Sequence, residues 1–240
     1  MRVDIIPWIH DPRFEEVKGA VELIKKMPKN SRLAFEAPNF LVEGLKTQVS
    51  IKAIPIFDVA EIYSIIEACN SRQITIVPLV NRVRNRLGIS TKSTFNAIAL
   101  AKQTDVSFAQ QIKNALRKNK WEKISVLVGA AHAEPLQIEL RKQGITSKII
   151  PDAFRDRRFL NAILEFDRKI RTAHDKRDEH AVEEHMKNMS ALFDNKLKER
   201  NVPSDEELKR RWKIRVKEEL TKKEAQRKKR IKIRLKKKLK

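Results

Sequence analysis

Three residues of this chain pair a metal- or proton-handling side chain with a position just past a strand-like run: His10, Glu36 and His132. His10 follows the apolar run 3–9. Glu36 closes the run RLAFE, and His132 follows ISVLV through the small turn Gly129-Ala130-Ala131. Two imidazoles and a carboxylate gathered at one point can hold a divalent cation such as Mn, Co or Zn and leave positions open for water and substrate. A cation so held draws the pKa of its water toward neutrality. Without a metal, Glu36 has the chemistry of a general base and one histidine that of its acid. The three are far apart along the chain, so this chemistry depends on a fold that brings them together. The competing readings are structural. His132 would then be a satisfied histidine beside a tight turn, and Glu36 a carboxylate paired with an arginine or capping a helix.

The elements that must position them follow from periodicity. Short β-branched runs at 3–9, 32–37, 74–80, 124–128 and 145–150 read as strands. Pro78 inside the third run predicts an edge strand, a bulge or an early strand end. Between the runs, Asp11 and Pro12 open a helix carrying Phe14, Val17, Val21 and Ile24 at helical spacing. Val59, Ile62, Ile66 and Cys69 mark a second helix from about Asp58, and Phe108, Ile112 and Leu116 another. A further helix spans about 134–143 and stops at Gly144. Residues 39–57 fit strand or loop, and 87–105 leave room for a helix. This alternation predicts an α/β fold, a mostly parallel sheet flanked by helices. Right-handed crossovers gather the strand C-termini on one edge, where open α/β sheets bind ligands. His10, Glu36 and His132 all fall at or just beyond such ends.

Beyond Asp152 the strand signals stop, and an all-helical basic extension is predicted. Phe154, Phe159, Ile163, Phe166 and Ile170 fit a helix. Residues 172–200 are charged, with Met186, Met189, Leu192 and Phe193 as apolar contacts. Asn201-Val202-Pro203-Ser204 breaks the chain, and Ser204 with Glu207 forms a capping box for a helix carrying Leu208, Trp212, Val216 and Leu220. The expected organisation is an α/β domain over 1–151, a charged helical extension over 152–200 and a basic helical arm over 201–240. His174, His180 and His185 form a rival histidine set, but their spacing does not share one helical face. A solvated charged face is the better reading there.

The net charge of +22 is concentrated: residues 201–240 hold 18 Lys and Arg against 6 Asp and Glu. Arg227, Lys228, Lys229, Arg230, Lys232, Arg234, Lys236, Lys237 and Lys238 lie in a terminal stretch without an acid, in which Ile231, Leu235 and Leu239 recur four apart. Such a segment binds polyanions through counterion release, strongly at low salt and weakly at high salt. Nucleic acid is the leading partner, RNA above DNA and ribosomal RNA included. An anionic membrane surface is the runner-up, because a basic amphipathic helix suits it too. A solubilising or localising tail is the plain alternative. Arg82, Arg84 and Arg86, after the third strand, would meet an anionic substrate at the sheet edge or form a basic surface loop. The single cysteine, Cys69, allows no internal disulfide and points to a reducing, cytoplasmic setting. No apolar run reaches the length of a transmembrane segment.

Four stretches in this order, WIH (8–10), LAFEA (33–37), TDVSFAQQI (104–112) and VGAAHAEPL (128–136), resemble the TraB/TIKI superfamily, which includes ChaN-like and erythromycin-esterase-like proteins. The Gly-x-x-His segment at 129–132 is the most telling, and the resemblance covers about residues 1–150. It implies a metal-dependent protease or another hydrolase, with His10, Glu36 and His132 as catalytic and metal-binding residues. Two positions depart from the family pattern. Pro7-Trp8-Ile9 stands where small residues precede the first histidine, and Thr104 stands where an arginine opens a helix. Arg82, Arg84 or Arg86 would then be the source of the missing charge.

Overall fold

The computed structural model describes residues 1–9, 16–36, 57–79 and 93–200. His10, the arginine loop 81–86, the segment 39–56 and the arm 201–240 lie outside the described residues. Residues Met1–Asp194 form one compact unit and Asn195–Lys240 a second.

The first unit is an α/β fold on a five-stranded parallel sheet. Strand β1 (Arg2–Trp8) leads through α1 (Glu16–Lys26) to β2 (Arg32–Glu36) and through α2 (Phe57–Ser71) to β3 (Thr75–Leu79). Helix α3 (Thr94–Lys118) leads to β4 (Lys123–Gly129), and α4 (Ala133–Lys142) leads to β5 (Thr146–Ile149). The spatial order is β3-β2-β4-β1-β5. The chain therefore moves in one direction across the sheet through β3, returns to insert β4 between β2 and β1, and ends on the opposite edge. Right-handed crossovers put α1 and α2 on one face and α3 and α4 on the other. The packing agrees: α1 rests on α2, and α3 on α4. Continuous burial along β1 and β4 is what a sheet covered on both faces requires. On the α1–α2 face, Ile6, Trp8, Ile24, Leu33, Phe35, Ile65 and Leu127 form the core, with Trp8 and Phe35 tilted against each other at 5.8 Å.

Pro78 falls on β3, which is an edge strand. That is where a residue without an N–H is tolerated. Gly144, with φ +74, ends α4 in the left-handed region. Residues 94–118 form one continuous helix, so Thr104 and Asp105 lie in its interior rather than at a helix start.

Among the described residues, two α-helices follow β5 after the short 3-10 turn Pro151–Ala153. Asp156 caps α5 (Arg157–Asp175) by accepting from the Phe159 amide at 3.0 Å. Helix α5 buries Phe159, Leu160, Ile163, Leu164 and Ile170 and packs against α3 and the turn after β4. It thus belongs to the compact unit that holds the sheet. Helix α6 (Glu179–Glu199) adds Val182, Met186 and Met189 to a small cluster with Ile98 and Ile170. Among the described residues no helix is long and apolar enough to cross a membrane.

Candidate functional site

The sheet reverses its winding between β2 and β4. From β2 the chain moves outward to β3, and from β4 it crosses β1 to β5. Such a switch opens a crevice at the strand C-termini. Glu36 is the last residue of β2, and β4 ends beside it at Gly129. Residues Ala130–His132 then make one 3-10 turn before α4 begins. Ala130 and Ala133 are buried around this turn.

His132 is held from the α3 side. Its Nδ1 lies 2.6 Å from Asp105 Oδ1, and its ring tilts against Phe108 at 6.3 Å. The Asp105 side chain is 2% exposed and that of His132 21%. The second oxygen of Asp105 accepts from Arg171 Nη1 at 2.8 Å. Arg171 also donates through Nε to Asp167 Oδ2 at 2.8 Å and through Nη2 to the Ala131 carbonyl at 3.4 Å. One guanidinium from α5 therefore meets α3, its own helix and the turn that carries His132.

Electrostatics ties Glu36 to this group. Burial raises the Glu36 pKa, the nearby His132 charge pulls it back, and Asp105 pushes it up further. For His132, burial disfavours the charged ring. The Asp105 hydrogen bond and charge, joined by Glu36, outweigh burial and the opposing Arg171, so the pKa stands above the ordinary value. Burial also lifts Asp167 to about 6, against the pull of Arg171. Three groups with raised pKa, Glu36, His132 and Asp167, are thus coupled to one another. A pocket of about 410 Å³ reaches Asp105, Asp167 and Arg171 between α3, α4 and α5, with Val106, Pro135 and Ile138 on its apolar side.

Of the residues singled out by sequence, Glu36 and His132 come within electrostatic reach of each other. His10, Arg82, Arg84 and Arg86 lie outside the described residues, as do the arm positions 227–238. Thr104 is buried, and its hydroxyl donates to the Leu100 carbonyl at 2.9 Å. The cation beside Asp105 is Arg171. The rival set is not gathered: His174 stacks on Phe95 at 4.1 Å in α5, while His180 and His185 sit on α6. Asp167 and Arg171 were missed by sequence reasoning. Their signal was available, because both continue the spacing of Leu160, Ile163 and Leu164 on the buried stripe of α5, where charges four apart need partners. Comparison with protein-family models, curated proteins and solved structures gives no match.

Proposed function

We propose that the chain is a metal-assisted hydrolase of peptide or ester bonds, of the kind the TraB/TIKI resemblance implies. The observation that carries this reading is the meeting of Glu36 and His132 at the winding switch, with Asp105 on the Nδ1 of His132. Their donor chemistry fits a divalent ion. Imidazole and carboxylate are ordinary ligands of Mn, Co and Zn, and a carboxylate on the far ring nitrogen is the usual outer partner of such an imidazole. Among the described residues no three donors are grouped to hold a metal by themselves, so the reading takes its third ligand from His10. A bound ion would supply Lewis acidity and a water of lowered pKa. Without an ion, Glu36, its pKa raised by burial, would take or return a proton beside the bond to be cut. Arg82, Arg84 and Arg86 are assigned to an anionic part of the substrate.

The test is metal counting on the full chain after loading with Mn, Co or Zn and desalting. About one ion per chain is expected in the wild type, with loss in His132→Ala and Glu36→Gln. Retention of none of the three ions by the wild type overturns the metal form. Hydrolysis that survives chelation would move the reading to Glu36 and His132 as a metal-free acid–base pair.

The charge distribution favours a second reading, a non-catalytic RNA- or ribosome-binding protein on the same fold in a cytoplasmic setting. The 18 Lys and Arg against 6 acids over 201–240 support it. RNA affinity should then fall steeply between low and moderate salt and vanish when the chain stops at residue 200. Full affinity in the shortened chain would remove the arm from this role, and preference for anionic vesicles over RNA would replace the partner.

A further inference from the structure

We propose that Arg171 is a positioning residue for His132, which makes α5 part of the site rather than an appendage to the α/β unit. Asp105 stands between the two side chains. Its side chain is almost fully enclosed, and enclosed carboxylate oxygens need hydrogen-bond partners. One oxygen faces His132 Nδ1 and the other takes Arg171 Nη1. A carboxylate only accepts, so the hydrogen on the ring belongs to Nδ1, and Nε2 keeps the lone pair that a ligand or proton would use. The orientation of Asp105 thus selects the tautomer of His132, and Arg171 fixes that orientation.

The geometry explains why this position holds arginine. Asp105, Asp167 and the Ala131 carbonyl lie on three elements, and the planar fork reaches all three with separate N–H groups. A lysine ammonium would keep the charge but not the fixed set of directions. The Ala131 contact matters separately, because it holds the peptide that leads into His132. Asp167, one turn before Arg171 on the same helix, holds the Nε edge and orients the fork. The side chain at 104 cannot substitute: it is a buried threonine bonded to its own helix. The cation arrives from beyond the last strand, so a fragment ending near 151 contains Asp105 and His132 without the group that aligns them.

The inference rests on the reading of His132 as a working imidazole, and its test separates the two. Nitrogen-15 correlation spectra of the full, metal-free chain are recorded at a pH above the His132 titration, for wild type, Arg171→Lys and Arg171→Gln. Their folding is checked by circular dichroism. Wild type should show His132 protonated on Nδ1 alone. Both variants should show a mixture of tautomers, and their metal affinity should fall about 10–100-fold, as for the loss of an outer partner. Should Arg171→Gln fail to fold, Arg171→Lys carries the test, since it keeps the charge that offsets Asp105. A folded lysine variant with His132 wholly on the Nδ1 tautomer overturns the positioning role. A tautomer shift in a protein whose wild type takes up no metal leaves the positioning role standing and removes only the metal form of the hydrolase reading.

Discussion

Burial pushes Asp167 toward its neutral form. Its pKa of about 6 in the folded chain stands above the ordinary 3.8, so the folded state binds this proton more tightly than the unfolded state does. The stability linked to it is therefore fully present below about pH 4 and is lost as the pH rises through about 6. The rise from 3.8 to about 6 corresponds to at most about 3 kcal/mol. Asp167→Asn removes this titration while leaving an acceptor for Arg171 Nε. In paired urea melts, wild type should gain up to about 3 kcal/mol on the Asn variant as the pH falls from 7 to 4. An unchanged difference across that range would mean that Asp167 is not the titrating group. Glu36 and His132 were legible at this scale because each ends a recognisable strand. Asp105 was visible only as part of a quoted helix, and Arg171 was hidden among Arg168, Lys169 and the other charges of α5. A residue's type and strand position can be read from one sequence, whereas which arginine meets which aspartate depends on a helix crossing the sheet edge.

At the scale of elements, α1 and the short turn Pro151–Ala153 pack closely at Gly19. A Cβ placed on Gly19 would come within 2.1 Å of the Ala153 carbonyl oxygen. Helix propensity alone favours alanine over glycine by about 1 kcal/mol. Overpacking costs about 1–3 kcal/mol, and more where the obstacle is backbone that cannot rotate away. The clash wins, so Gly19→Ala should destabilise the protein in chemical unfolding despite its better helix former. A cap gives a second element-scale outcome. Asp156→Ala leaves the Phe159 amide without its 3.0 Å acceptor and should cost about 1 kcal/mol, read as a lower melting temperature. The strands were legible because runs such as Ile124–Val128 are continuous, β-branched and bounded by turn residues. The first half of α3 was less so. Thr94, Asn96, Thr104 and Asp105 are indifferent helix formers, and packing of Phe95 and Ile98 against α5 and α6 accompanies the helix there.

At the scale of the molecule, the sheet is not the whole of its own folding unit. Burying a large aliphatic or aromatic side chain contributes about 1.5–3 kcal/mol. Helix α5 buries Phe159, Leu160, Ile163, Leu164 and Ile170, which together approach the full stability of about 5–15 kcal/mol typical of a domain. It also brings the guanidinium that offsets the enclosed charge of Asp105, and an unpaired buried charge costs about 3–5 kcal/mol. A chain ending at residue 151 therefore loses apolar cover and charge compensation together. It should be expressed as an aggregating or molten species without a cooperative thermal transition. A chain ending at residue 200 keeps α5, α6 and all of the first compact unit and should unfold in a single transition close to that of the full protein. A sharp, reversible transition in the shorter fragment would show that α5 is dispensable to the sheet. Loss of the transition in the longer one would show that the basic arm contributes to folding as well as charge.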